Sequence, residues 1–409
     1  MTEKMRAKDM LNQAMLKHFY DANVAKAKGK LVGWSTSIFP QEFAETMGLT
    51  VVYPENHAAA VTARKQAVPL LEQAESEGYN VDLCAYARLN LAYMKSQASD
   101  VPIPLPDFVL CCNNICNTLI KWYENIATEL NIPMILVDVP YNYNLEPSPE
   151  SIAYIKEEFE VCIRQLEEIS GEKFDNDRFQ EVMEISNRNS ELWKKACDLN
   201  QAEPAPLNGF ELFNYMGMLV CMRGKKETGI ILETLIAELE DKIARGEGVY
   251  SSGEKYRVLW DGIACWPYLS HNFKFFKDNG INMVYSSYPD AWILRYQPGN
   301  LDDLARVYTM VGSNTNMEYQ ARRRAQAVKD FNLEGVLFHI NRSCKVMDFM
   351  QYEQQRLLQE KTGIPCATFD GDQADPRAFA QAQFETRVEA LKEMMDQKKS
   401  GNRNARGEA

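Results

Sequence analysis

The chain has 409 residues, 45% of them hydrophobic and 25% charged, with a net charge of −12 at neutral pH. That length holds two domains of ordinary size with a well-buried core. The acidic balance argues against a protein built to grip nucleic acid or an anionic membrane.

No apolar run reaches the roughly 20 residues of a membrane span. No apolar signal region follows Met1-Thr2-Glu3-Lys4-Met5-Arg6. Cytoplasm is the expected compartment. The 10 cysteines of such a chain are expected to be reduced, most of them packed in the core and a minority serving as ligands.

Taken in order, the spacing of Leu11, Met15 and Phe19 predicts a helix over about 5–28. Leu31-Val32-Gly33-Trp34 reads as the first strand. The polar loop Ser35-Thr36-Ser37 and a short helix from Pro40 follow. Ser35, Thr36 and Ser37 read first as candidates to cap that helix, a role expected for two of the three. Gly48 ends the helix, and Leu49-Thr50-Val51-Val52-Tyr53 is the second strand, leading into Pro54-Glu55-Asn56-His57. Helical stretches precede Gly78 and follow Cys84. Pro102, Pro104 and Pro106 mark a loop. Phe108-Val109-Leu110 is a strand. It runs into the turn Cys111-Cys112-Asn113-Asn114-Ile115-Cys116-Asn117 and an amphipathic helix, Thr118-Leu119-Ile120-Lys121-Trp122-Tyr123. Another strand follows at 132–138. Alternating strands and helices predict a parallel sheet covered on both faces. From about 150 to 224 only helices are read, over 152–169, 178–199 and 210–221. After a further helix over about 226–245 the alternation resumes. Val336-Leu337-Phe338-His339-Ile340 is a buried strand, Asn341-Arg342-Ser343-Cys344 a turn, and a helix starts at Lys345.

The chain repeats itself. Gly48-Leu49-x-x-Val52-Tyr53 matches Gly280-Ile281-x-x-Val284-Tyr285 at an offset of 232. Asn113-x-x-Cys116 matches Asn341-x-x-Cys344 at 228. Ile132-Pro133 with Asp138 matches Ile364-Pro365 with Asp370, again at 232. The change of four predicts a helix about one turn longer after Cys344 than after Cys116. Trp34 before Pro40 resembles Trp266 beside Pro267 more loosely. The expected architecture is α/β, with two similar parallel-sheet lobes of Rossmann or flavodoxin type. The lobes span 1–149 and 225–409, joined by a helical segment over 150–224.

Ligands of open α/β sheets bind beyond the carboxyl ends of the strands. Two such lobes would set Cys116 and Cys344 on facing walls of one cleft. Cys84 has no counterpart, because the 232 offset lands on Asn316. Cys84, Cys116 and Cys344 are therefore the candidates for one asymmetric metal site. A helix N-terminus is expected to lower the pKa of a thiol such as Cys116 and favour the ligating thiolate. Three thiolates can hold zinc or iron–sulfur. No Cys-x-x-Cys pair occurs, and widely spread single cysteines suit a cluster better than zinc. Cys112, then Cys265, would substitute if a further thiolate exists. Cys111 reads as core and lining, and Cys162, Cys197, Cys221 and Cys366 as packing. Glu55 and His57, past the second strand, are candidates for proton transfer. His339 reads as a buried core histidine, and the carboxylates of Asp370-Gly371-Asp372-Gln373-Ala374-Asp375 as turn caps. Neither a Walker A sequence nor G-x-G-x-x-G is present, so nothing supports ATP or a dinucleotide.

These residues carry a resemblance. Gly33-Trp34-Ser35-Thr36-Ser37-Ile38-Phe39-Pro40, Tyr53-Pro54-Glu55-Asn56, the Cys111–Asn117 turn, Lys121-Trp122-Tyr123-Glu124-Asn125, Asn341-Arg342-Ser343-Cys344-Lys345 and Asp370-Gly371-Asp372-Gln373-Ala374-Asp375-Pro376-Arg377 resemble the alpha subunits of the 2-hydroxyacyl-CoA dehydratases nearly end to end. The resemblance implies a [4Fe-4S] cluster held by Cys84, Cys116 and Cys344 with one non-protein ligand. Ser37 would lie beside the open iron, with Glu55 the active-site glutamate. It also implies a heterodimer with a beta subunit carrying its own cluster, and an ATP-dependent iron–sulfur activator that supplies one electron. The substrate would be a 2-hydroxyacyl-CoA. One electron on its thioester gives a ketyl radical that expels the C2 hydroxyl and acidifies the C3 hydrogen. Loss of that proton and return of the electron then yield the 2-enoyl-CoA. The competing readings are a related acyl-CoA or double-cubane reductase subunit, which consumes reductant at every turnover, and a subunit that relays electrons to a partner's site. The relay is disfavoured because relay clusters normally have four protein ligands.

Overall fold

The computed structural model describes residues 5–407. The alternation read from the sequence is present twice. The first sheet contains β1 (Val32–Ser35), β2 (Thr50–Val52), β3 (Phe108–Cys112) and β4 (Met134–Val137), all parallel, in the order β2-β1-β3-β4. The second contains β5 (Tyr256–Asp261), β6 (Ile281–Ser286), β7 (Gly335–Asn341) and β8 (Cys366–Gly371), also parallel, in the order β6-β5-β7-β8. The two orders are the same. The inner strands β1, β3, β5 and β7 are buried along their whole length, which is why they read as continuous runs rather than alternating ones.

The chain divides into two compact units. One comprises the residues up to Ala196 together with Tyr215–Glu238 and Ala291–Asn316, and the other Cys197–Asn214, Leu239–Asp290 and the chain from Met317. The stretch read as a purely helical segment holds the helices Pro149–Ser170, Asn176–Asp198 and Gly209–Met222, and its residues are shared between both units. In the first unit Phe43 packs on Phe159 and Phe179, with ring centroids 5.1 and 5.4 Å apart. In the second, Leu259, Val284, Val336, Phe338, Leu358 and Ile364 belong to one buried cluster.

The repeat is carried by backbone chemistry. Gly48 and Gly280 adopt φ of 65° and 68° just before β2 and β6, a left-handed turn that glycine enters without a Cβ penalty. Val109 donates its amide to Pro133 O and Val336 donates its amide to Pro365 O, each at 2.9 Å. The helix after Cys116, Thr118–Leu130, has 13 residues; the one after Cys344, Lys345–Thr362, has 18, longer by slightly more than a turn. The tryptophan match needs correction. Trp34 pairs with Val109 and Trp260 pairs with Leu337, and those partners are themselves 228 apart. Trp260, fully buried like Trp34, is thus the counterpart of Trp34, whereas Trp266 lies in a later 3-10 turn.

In both orders the chain leaves the first strand, pairs outward, and returns on the other side. The switch points therefore lie between β1 and β3 and between β5 and β7, the places beyond the strand ends where open α/β sheets bind ligands. The loop after β1 carries Ser37, and the turn after β3 carries Cys116.

Candidate metal centre and active site

All ten cysteines are outside any disulfide, and burial divides them sharply. Seven are buried; Cys84, Cys116 and Cys344 alone keep partial exposure. Those three also share a local position. Cys84 is the N-cap of the helix Ala85–Ser96, Cys344 is the N-cap of Lys345–Thr362, and Cys116 stands two residues before Thr118–Leu130. Burial pushes the packed thiols up, Cys112 and Cys366 each to about 12, so they are held as neutral core groups. Cys116 departs from the sequence expectation. Burial raises its thiol above the usual value, outweighing the Leu119 and Thr118 amides that act in the expected direction. A thiol so placed gives up its proton together with metal binding rather than in advance.

The Ser37 loop and the start of the helix Pro54–Ala63 meet at Glu55. Glu55 does not sit in a loop past β2. Pro54 opens a helix, and Glu55 lies in its first turn, where unpaired amides favour a carboxylate. The Ser37 amide donates to Glu55 Oε1 at 3.0 Å, and the Tyr123 hydroxyl donates to Glu55 Oε2 at 3.2 Å. Burial raises the Glu55 carboxyl above the usual range, and the hydrogen bonds from Ser37 and Tyr123 oppose that shift. The same carboxylate adds to the upward push on the Cys111 and Cys116 thiols. Ser37, Glu55 and Cys116 therefore share one electrostatic neighbourhood at the β1/β3 switch point. Tyr123 was not singled out from the sequence. Its signal was a tyrosine on the buried stripe of an amphipathic helix, whose hydroxyl must find a partner.

Other expectations resolve differently. Ser35 and Thr36 do not cap the following helix, Gln41–Thr46, which has no side-chain cap bond. Thr36 Oγ1 instead accepts the Cys112 amide at 3.0 Å, tying the end of β3 to the loop after β1. His57 is turned into the core: its Nε2 meets Val101 O at 2.8 Å and its ring lies 4.5 Å from that of Tyr93. His339 is a core histidine as expected, with Nδ1 2.7 Å from Ile263 O and its ring stacked 4.7 Å from Phe369. Asp372 and Asp375 serve as caps. Asp372 accepts the amides of Ser343, Ala374 and Asp375 at 3.1, 2.8 and 2.9 Å, and Asp375 accepts the Arg377 amide at 3.0 Å.

Two further ties fix the cysteine turns. The Trp122 indole donates to Asn90 Oδ1 at 2.8 Å, joining the helix after Cys116 to the helix after Cys84. Ser343, next to Cys344, is anchored by Asp372 as above. Among the described residues no three His, Cys, Asp or Glu side chains form a ready site for a single metal ion. Tetrahedral zinc would require sulfurs about 3.8 Å apart, given its short Zn–S bonds. A polynuclear cluster spreads its ligands over its own width. Thiols are the donors that such clusters take, and Cys84, Cys116 and Cys344 are the three cysteines that keep partial exposure, each at the start of a helix.

Fold and site thus define an α/β protein with duplicated parallel sheets, thiols at helix starts, and one of them, Cys116, beside a buried carboxyl. A family model described as the 2-hydroxyglutaryl-CoA dehydratase D-component matches residues 36–395. The chain is 48% identical over 405 residues to the (R)-2-hydroxyisocaproyl-CoA dehydratase alpha subunit of Clostridioides difficile, covering 98% of this chain and 99% of that one. It is 46% identical over 398 residues to the (R)-phenyllactyl-CoA dehydratase alpha subunit of Clostridium sporogenes, covering 97% of each. With the lactoyl-CoA dehydratase subunit alpha of Anaerotignum propionicum it shares 42% over 416 residues, 97% of this chain and 98% of that one. The chain belongs to the 2-hydroxyglutaryl-CoA dehydratase D-component family.

Proposed function

We propose that this protein is the iron–sulfur alpha-type subunit of an (R)-2-hydroxyacyl-CoA dehydratase, a hydro-lyase that converts a 2-hydroxyacyl-CoA to the 2-enoyl-CoA. The observation that carries the reading is the Glu55 carboxyl, clamped by Ser37 and Tyr123 and coupled to the Cys116 thiol. The near full-length likeness to three alpha subunits named for different acyl groups supports the class of reaction.

Cys84, Cys116 and Cys344 would hold a [4Fe-4S] cluster with one non-protein ligand. When bound, such a cluster supplies a Lewis-acidic iron toward the thioester oxygen. The remaining work falls to the chain's own side chains. Glu55, raised by burial, can hold a proton for the departing C2 hydroxyl or, once ionised, take one from C3. The Ser37 amide fixes Glu55, and the Ser37 hydroxyl, which acts on the same carboxyl, would orient the substrate oxygen. The C3 hydrogen becomes acidic only while the thioester carries one extra electron, which is returned at the end of each cycle. A beta-type subunit with its own cluster and an ATP-dependent iron–sulfur activator are the proposed partners.

The test is electron stoichiometry. The complex, purified without oxygen together with its partner subunit, should contain iron and sulfide. It should form many molecules of enoyl-CoA per electron supplied. Consumption of reductant with every product would identify a reductase instead.

A further inference from the structure

Tyr123 is wholly buried and its hydroxyl donates to Glu55 Oε2. Burial holds the phenol well above its ordinary pKa, so it remains a donor throughout the working range. The Ser37 amide takes the other oxygen, with the Ser37 side chain and the Glu55 amide also acting on the carboxyl, so both oxygens are held by donors from different elements. One is the loop after β1; the other is the helix that begins just after Cys116. A carboxyl held at both oxygens has its plane fixed.

The neighbouring residue completes the arrangement. Trp122 bonds Asn90 on the helix behind Cys84. Adjacent positions on a helix point about 100° apart. The helix Thr118–Leu130 therefore cannot rotate about its axis without breaking either the Tyr123–Glu55 or the Trp122–Asn90 bond. We infer that Tyr123 is a positioning residue for the dehydration reaction, acting through Glu55 by fixing its carboxyl relative to the helix that follows Cys116. This rests on the function proposed above.

The experiment is a double-mutant cycle on the assembled complex with its activator. Tyr123→Phe should lower kcat about 10- to 100-fold, the scale of a misplaced catalytic group, with KM for the acyl-CoA and iron per protein unchanged. In a Glu55→Gln background the same substitution should cost less than about twofold, because the group it positions is already gone. A readout independent of turnover is the carboxyl infrared band of protein labelled with 13C-glutamate. The Glu55 component should shift in Tyr123→Phe and vanish in Glu55→Gln. Wild-type turnover in Tyr123→Phe, a full additive loss in the Gln background, loss of iron, or collapse of the circular dichroism signal would each overturn the assignment. A wild-type complex that dehydrates no 2-hydroxyacyl-CoA would refute the proposed function instead, and the infrared shift would still report on the Tyr123–Glu55 bond.

Discussion

Asn341 makes in the second sheet the connection that Asn113 makes in the first. Asn113 Oδ1 accepts the Val139 amide at 2.7 Å and its Nδ2 donates to Asp138; Asn341 Oδ1 accepts the Gln373 amide at 3.3 Å and its Nδ2 donates to the Gln373 side chain. Each asparagine stands three residues before its cysteine and ties the cysteine turn to the loop after the neighbouring strand. The Asn-x-x-Cys pattern is thus a bracing device as well as a spacing.

Asn341 and Gln373 are buried, so Asn341→Ala removes two hydrogen bonds to Gln373 where water cannot replace them. An unsatisfied buried polar group costs about 1–3 kcal/mol. Asn113 is only partly buried, so water can replace some of what Asn113→Ala removes. Urea unfolding should show the larger drop in midpoint for Asn341→Ala at unchanged m-value. Equal midpoints for both variants and wild type would show that the brace carries no stability.

The sequence disclosed the duplication because the turns that define it are made by residues with narrow backbone preferences, Gly48 and Gly280, or with fixed side-chain chemistry, Asn113 and Asn341. It misplaced the Trp34 counterpart because tryptophan burial is set by strand register, which spacing in the chain does not encode. It placed Glu55 past a strand end but not in the first turn of a helix, although Pro54 was the signal for that turn. The pKa of Cys116 was read with the wrong sign because burial, a tertiary property, outweighs the local amides. Tyr123 stayed hidden because its partner is 68 residues away.

The three thiols should be separable from the rest by metal content. Cys84→Ala, Cys116→Ala and Cys344→Ala should each abolish cluster absorbance and lower iron per protein, whereas Cys197→Ala, in a buried packing position, should not. Iron analysis of protein purified without oxygen decides it. Full retention of iron in any of the first three variants would remove that residue from the ligand set.

Glu42 and Arg223 are both fully buried and form an ion pair, with Ser186, Tyr296 and Tyr308 hydrogen-bonded around it. Burial alone would raise the Glu42 carboxyl, but Arg223 and the hydrogen bonds hold it below its ordinary value. Its stabilising contribution is therefore present above the unfolded carboxyl pKa of 4.5 and is lost as pH falls through the depressed folded value. Arg223→Met strands the carboxylate and should cost about 3–5 kcal/mol at pH 7. The deficit should shrink toward pH 4, where Glu42 is protonated more easily, and adding Glu42→Gln should restore part of it. A deficit that does not change with pH would show that lost packing, not the stranded charge, is responsible.

His57 is buried and neutral, its imidazole pushed down to about 4 by burial. The unfolded chain binds that proton near pH 6.5, so stability is complete above that pH and declines as pH falls from 6.5 to 4. The loss is at most about 3 kcal/mol for one such group. His339, also buried and pushed down to about 4, acts in the same direction. His57→Phe should flatten the fall in Tm between pH 7 and pH 5 relative to wild type. A parallel fall in both proteins would mean that His57 does not carry the acid sensitivity.

Glu55→Gln tests the proton-transfer assignment. Glutamine keeps the shape and can still accept the Ser37 amide, but it cannot gain or lose a proton in the working range. His57 is unable to take over, because its ring is packed between Phe19 and Tyr93 and its Nε2 is committed to Val101 O. A positioned acid or base typically contributes about 10²- to 10⁴-fold to a rate. Dehydration per intact cluster should fall on that scale, with iron content and association with the partner subunit unchanged. A Glu55 that only capped its helix would cost about 1 kcal/mol of stability and leave the rate nearly intact. The comparison is wild type against Glu55→Gln, without oxygen, with activator and ATP present. A rate within about threefold of wild type, far short of the range for general acid–base catalysis, would show that the proton moves through another group.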